Sequence, residues 1–347
     1  MPLNELKNIL EKQAVRPNKL LGQIFLRDRN VLNKIIAAAN LTARDRVLEV
    51  GPGLGVLTKE LAKHAGRVIA VEKDKTLAEL LTKQLAEEKI DNVEVVKDDV
   101  LSFLPRICHS REGGNPVRGK LQQESRAWIP GQALDDNPLS LTSYKVVANI
   151  PYYLTSHLIR LLLESANPPS DIILMIQKQV AQRICACPPE MSLLAVSVQF
   201  YAEPKIIALV AKKSFWPQPK VDSAIIRITP RPVASEASFT GPRPLLFPER
   251  SPHKSGDVVE GSVNSLQRAP LREACSGNKN LDIKNFFTVL HAGFAQPRKQ
   301  LINNLSHGLN LKREKIADIL QTAGLKPEQR AETLKVEDWI KITKLFC

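Results

Sequence analysis

No stretch of the 347-residue chain approaches the ~18 or more consecutive apolar residues of a membrane span, so no membrane partner is expected. Cysteine is scarce: five residues, Cys108, Cys185, Cys187, Cys275 and Cys347, lie scattered along the chain. Cys185-Ala186-Cys187 has neither metal-ligand spacing nor a second pair, which argues against a disulfide framework and gives no reason to expect a metal. Met1 to Leu10 mixes Asn, Glu and Lys with Leu and does not read as a secretory leader. A reduced, cytoplasmic setting is the expectation. Acidic residues are also in deficit, 36 against 49 Lys and Arg, a net charge of +13. Such a balance points to a polyanionic partner, usually nucleic acid.

What is present begins with Val47-Leu48-Glu49-Val50-Gly51-Pro52-Gly53-Leu54-Gly55. An apolar run from Arg46 to Val50 ends in three glycines spaced two apart. Leu57, Leu61 and Ala65 then recur every four residues, so the stretch reads as strand, tight turn, helix. Glycines at such a turn permit positive φ and close approach of a ligand. No Lys follows them as in a phosphate loop, so they leave room for a ligand rather than cradle a phosphate. Arg67 to Glu72 reads as a second buried strand, with an acid about 20 residues beyond the first glycine. That is where a carboxylate meets ribose hydroxyls in a nucleotide-binding βαβ unit. A third strand, Asn92 to Lys97, is followed by Asp98-Asp99, at the strand end where ligands bind in open α/β sheets. Adjacent strand residues face opposite ways, so one of the two faces a ligand.

Asn30 is the expected cap of a helix through Val31, Leu32, Ile35 and Ile36. Tyr144 to Asn149 is another buried strand, ending in Asn149-Ile150-Pro151-Tyr152. Thr155 or Ser156 is expected to cap a helix through Leu158, Ile159, Leu162 and Leu163. A strand from Asp171 to Ile176, a helix from Gln177 to Ala186 and a strand from Ala224 to Ile228 continue the α/β rhythm. Two turn-rich stretches, about 106–143 and 230–280, lack periodicity and read as insertions. The tail is helical, over Ile283 to Phe294, Pro297 to Ser306, Arg313 to Ala323 and Val336 to Phe346. It carries Arg298, Lys299, Lys312, Arg313 and Lys315.

The Asn-Ile-Pro-Tyr stretch suits methylation of an exocyclic amine on a nucleobase. That nitrogen's lone pair is delocalised into the ring. Accepting hydrogen bonds from its two N–H groups draws it toward tetrahedral geometry and frees the lone pair. Asn149 supplies a side-chain carbonyl, and Ile150 a backbone one. Pro151 fixes the turn without a competing N–H, and Tyr152 offers a ring for an extruded base. No strong base is needed, and placement supplies most of the rate. Phe215, heading a turn stiffened by Pro217 and Pro219, is a candidate for the opposite face of that base. Lys212, Lys213 and Lys220 beside it suggest nearby phosphates.

Gly22-Gln23-Ile24-Phe25-Leu26, Glu49 to Gly55, Asn149 to Tyr152 and Phe215 to Ser223, in that order, resemble the ribosomal RNA adenine dimethyltransferase family. The resemblance covers about residues 15–229 and 284–340. It implies a Rossmann-like α/β class I methyltransferase domain over 1–229 and a small all-helical, RNA-facing domain over 281–347. It implies S-adenosylmethionine as methyl donor, without a metal. The implied substrate is two neighbouring adenines near the 3′ end of small-subunit (16S) rRNA, each dimethylated on N6 by a monomer acting on an immature 30S particle. Carried over by position, Ile24 and Leu26 lie by the donor, and Gly51 and Gly53 line its methionine end. Glu72 holds the ribose, Asp99 meets the donor adenine, and Asn149 sits between donor and target. Tyr152 and Phe215 sandwich the target base. Ile24 stands where the family usually has Asn or His, and Pro297 where it has Arg. The alternatives are an enzyme methylating a large-subunit rRNA adenine, as in antibiotic resistance, and a non-catalytic ribosome-assembly factor on this fold.

Overall fold

The computed structural model describes residues 22–108, 143–231 and 282–346. The basic N-terminal stretch and nearly all of both expected insertions lie outside them. The chain divides into two compact units, Met1–Cys185 with Val198–Arg231, and Ala186–Ser197 with Pro232–Cys347.

The first unit is a seven-stranded sheet in the order β4-β3-β2-β5-β6-β9-β7. Its strands are β2 (Arg46–Val50), β3 (Arg67–Glu72), β4 (Val93–Lys97), β5 (Lys145–Asn149), β6 (Asp171–Gln177), β7 (Ala202–Val210) and β9 (Ser223–Pro230). From β4 to β6 the neighbours are parallel, and β9 runs antiparallel to both β6 and β7. Helices Arg29–Ala39, Val56–His64, Lys75–Glu87, Val100–Cys108, Thr155–Glu164 and Lys178–Ile184 alternate with the strands. A sheet covered by helices needs strands apolar on both sides. Accordingly Val47, Leu48, Val68, Val146, Val147 and Ile172 to Leu174 are fully buried. The strand order reverses between β2 and β5, and the crevice at such a reversal is where open α/β sheets bind ligands. A separate short pair, β1 (Phe25–Leu26) with β8 (Phe215–Trp216), is antiparallel, with Leu26 opposite Phe215.

Several local expectations are corrected. Asp28, not Asn30, caps the first helix, its carboxylate accepting from the Asn30 amide. The Ser214 hydroxyl holds the other oxygen of Asp28. Helix Thr155–Glu164 follows directly from the 3-10 turn Tyr152–Leu154 and has Leu154 at its cap. The Thr155 hydroxyl instead donates back to the Tyr152 carbonyl. The first expected insertion starts late, because helix Val100–Cys108 runs through Pro105 to Cys108. Separately, Leu193 to Tyr201 forms a helix that passes straight into β7.

The second unit contains helices Ile283–Gly293, Leu301–Leu309, Arg313–Thr322 and Val336–Leu345. Phe286, Phe287, Leu301, Leu305, Ile316, Leu320, Trp339 and Ile342 form its buried face. Phe294 stacks on Trp339 with ring centroids 5.4 Å apart. Residues 186–197, within the first stretch of sequence, cluster with these helices, and the Met191 amide donates to the Glu332 carbonyl. Pro297 is not in a first helical turn. It takes the second place of a turn closed by Lys299 N–H on the Gln296 carbonyl, a position that suits proline's fixed φ. The following helix begins at Leu301.

Candidate active site

Three loops meet at the strand reversal of the first unit: the glycine turn after β2, the Asn149–Tyr153 turn after β5, and the segment Gly22–Leu26. The glycine turn is built by backbone conformation. Gly51, Gly53 and Gly55 have φ of 66°, 59° and 75°, all in the left-handed region that side chains disfavour. At Gly55 a Cβ would also run into the buried Leu81 side chain, which would have to shift to admit it.

Glu72 joins this turn to the end of β3. One oxygen accepts from the Gly53 amide at 3.0 Å, the other from the Asp74 amide at 2.9 Å. Burial raises its pKa, and those amide hydrogen bonds oppose the rise. Each oxygen keeps lone-pair capacity for a further donor. Asp74 in turn caps helix Lys75–Glu87 and accepts from the Gln23 carboxamide at 2.9 Å. At the end of β4, Asp99 accepts from Lys73 Nζ at 2.8 Å and from the Leu101 amide at 3.0 Å. Partial burial pushes its carboxyl up, but Lys73 and the Leu101 amide more than reverse that, leaving its pKa lowered. Asp98 turns elsewhere, pairing with Arg106.

Asn149, the last residue of β5, donates its Nδ2 to the Ile24 carbonyl at 3.1 Å. With the amide nitrogen engaged there, Oδ1 is the atom left to accept. The backbone of residue 24 therefore makes the contact, whatever its side chain. Tyr152 is half-buried, its hydroxyl 2.7 Å from Ser223 Oγ. Tyr153 is 62% exposed. Gly22, with φ of 61°, passes over this turn: a Cβ there would lie 3.4 Å from Pro151 and 3.6 Å from the Tyr153 ring.

Two expected site side chains, Phe215 and Leu26, pack into the hydrophobic core. Phe215 is 2% exposed and Leu26 is 5% exposed, and both belong to one core cluster with Val31, Ile35 and Ile225. A base-stacking role for Phe215 would require that packing to open, because its ring is covered. Ile150 is likewise buried, whereas Gly51, Gly53, Pro151, Tyr152 and Asn149 are partly accessible.

Glu49 was not singled out by sequence pattern. It is 1% exposed on β2, and its Oε2 has no hydrogen-bond partner. Burial raises its pKa to about 8, and the nearby Glu72 charge adds to the rise. The Thr58 side chain opposes it without meeting hydrogen-bond geometry. Between the ordinary carboxyl value and about 8, Glu49 is protonated folded and ionised unfolded. Its contribution is thus fully present below the ordinary value and lost as pH rises through about 8. Stability is expected to fall across that window by up to ~1.4 kcal/mol per pH unit. Urea midpoints measured from pH 5 to 9 check this. Glu49→Gln should flatten the slope whatever its absolute stability, and an unchanged slope would exclude Glu49 as its source.

Residues 14–239 match the model of the family described as ribosomal RNA adenine dimethylase. Curated relatives named ribosomal RNA small subunit methyltransferase A match nearly end to end. One from Dehalococcoides mccartyi is 35% identical, covering 97% of this chain and 90% of its own. One from Clostridioides difficile is 30% identical, covering 99% and 95%. Among solved structures, a dimethyladenosine transferase from Plasmodium falciparum is 22% identical with a TM-score of 0.59, covering 92% of this chain and 95% of its own. The 23S rRNA methyltransferase ErmE is 23% identical with a TM-score of 0.56, covering 93% and 99%. These two show the Rossmann-like α/β fold. With a family model matched over most of the chain and relatives aligned along nearly all of it, the chain belongs to the ribosomal RNA adenine dimethylase family.

Proposed function

We propose that the chain uses S-adenosylmethionine to dimethylate N6 of two adjacent adenines near the 3′ end of small-subunit rRNA, in an immature 30S particle. The observation that carries this reading is the Asn149 carboxamide, whose nitrogen is occupied by the Ile24 carbonyl and whose oxygen is left to accept. Family membership and the small-subunit names of the curated relatives support this choice of substrate over a large-subunit adenine.

The residues present fit such a donor. Beside Gly51 a Cβ would meet nothing nearer than Pro151 at 3.9 Å, so the turn has open space on that side. The buried Glu49 Oε2 lacks a protein partner, as expected of an acid awaiting a polar ligand. Glu72 would hold the ribose and Asp99 the adenine, with Gly51 and Gly53 along the methionine end and Ile24 bordering it. When bound, S-adenosylmethionine supplies an electrophilic methyl group on a sulfonium.

The chain's own residues then act on the target amine. Asn149 Oδ1 and the Ile150 carbonyl accept its two N–H groups and orient the lone pair, which is placement rather than base catalysis. Tyr152, its hydroxyl held by Ser223, presents a fixed ring on which a base can stack. A monomer in the cytoplasm accords with this role, and no described helix is long and apolar enough to cross a membrane. Mass spectrometry of small-subunit rRNA from cells with and without this chain tests the proposal. Loss of methylation at both adenines is expected without it, and unchanged rRNA would refute it.

A further inference from the structure

Next to Tyr152 the first unit carries a groove of about 380 Å³, lined by Lys178, Gln179, Gln182, Lys212, Lys220 and Asp222, with Val221 as its apolar wall. Asp222 builds it. Its carbonyl accepts from the Lys178 amide and its carboxylate from the Lys212 amide, each at 3.0 Å. One acid thus fixes the main chain of two lysines while spending an oxygen on a backbone N–H. Among the described residues Lys178, Lys212 and Lys220 enter no ion pair, whereas Lys59, Lys73, Lys97 and Lys145 in the same unit each hold a carboxylate. The groove therefore presents three ammonium groups and two carboxamides against a single acid. That chemistry suits a phosphodiester, and the lone apolar wall offers little for a base to stack on.

The groove is tied to the candidate active site through Asp222. Asp222 precedes Ser223, which holds the Tyr152 hydroxyl, and the Asp222 charge adds to the effect of burial in raising the phenol's pKa. We propose that this groove seats backbone phosphates of the substrate RNA next to the nucleotide that stacks on Tyr152, and so sets which adenine reaches Asn149. This rests on the RNA-methyltransferase reading above. Lys178 is the part of the site that its own sequence surroundings did not mark, since it reaches the groove from the helix after β6.

The test compares the unmodified protein, the triple variant Lys178→Gln, Lys212→Gln, Lys220→Gln, and a control that neutralises the exposed Lys34, Lys83 and Lys89 in the same way. All three have their affinity for a short RNA stem-loop with two adjacent unpaired adenines measured from 0.05 to 0.5 M salt. Binding of S-adenosylhomocysteine verifies folding. Removing three phosphate contacts should make the slope of log affinity against log salt shallower by about 2, and lower affinity at 0.1 M salt about tenfold to a hundredfold. The control should retain the unmodified slope, and donor-product binding should not change. A slope shared by the groove variant and the unmodified protein would overturn the groove. An equal reduction in groove variant and control would also overturn it, by reducing the effect to net charge. A flat response of the unmodified protein would instead refute the RNA reading, and the groove with it.

Discussion

Asn149→Ala is expected to lower methyl transfer about a hundredfold to a thousandfold, the usual cost of removing one prearranged hydrogen-bond group from a reacting centre. Affinity for S-adenosylhomocysteine should stay within about threefold, since the carboxamide is assigned to the amine and its nitrogen is held by the Ile24 carbonyl. Labelled methyl transfer to immature small subunits, alongside calorimetric titration, separates the two quantities. Asn149→Asp sharpens the experiment. It keeps an acceptor but replaces the donating nitrogen with oxygen, which would face the Ile24 carbonyl oxygen. The substituted side chain should turn away and be nearly as impaired as alanine. Turnover retained by either variant would sink the assignment of Asn149.

Glu72→Ala is expected to act on the donor rather than on the transfer step. The carboxylate ties Gly53 to Asp74, and its remaining lone pairs are the ones assigned to the ribose. Hydrogen bonds to a charged group contribute about 1.5–3 kcal/mol each, so loss of the ribose contacts should weaken S-adenosylhomocysteine binding at least about tenfold. Two backbone amides would also lose their acceptor, and the melting temperature should fall. Glu72→Gln keeps one accepting oxygen and should lie between. Unchanged donor-product affinity in Glu72→Ala would remove Glu72 from the site.

The parallel strands and the glycine turn were legible because both are local. Continuous Val, Ile and Leu runs ending in glycine, an acid or a side-chain amide mark buried strands, and β2, β3, β5 and β6 fall where those runs lie. Glu72 was marked by its strand-end position and its distance from the glycines, whereas strand-end position left Asp98 and Asp99 open and the family resemblance pointed to Asp99. What was not legible depends on partners far away in the chain. Asn149 meets Ile24 across 125 residues and Gln23 meets Asp74 across 51, and no periodicity encodes either contact. Phe215 followed the opposite course: an aromatic before prolines reads as a stacking ring, but its pairing opposite Leu26 turns it into the core. Glu49 was passed over because one acid within an apolar strand carries no period of its own. Only its burial without a partner marks it.

The Ile24 carbonyl has a consequence for how this site can vary and how it can be probed. Peptide oxygens are the same in all residues, so drift at position 24 leaves the contact with Asn149 intact. A side-chain scan would pass over it as silent. What the contact does depend on is the alignment of β1 with β8, where slipping by one residue would turn the carbonyl away. The departure from Asn or His at this position is therefore tolerable on structural grounds, while an insertion or deletion between Gly22 and Leu26 is not.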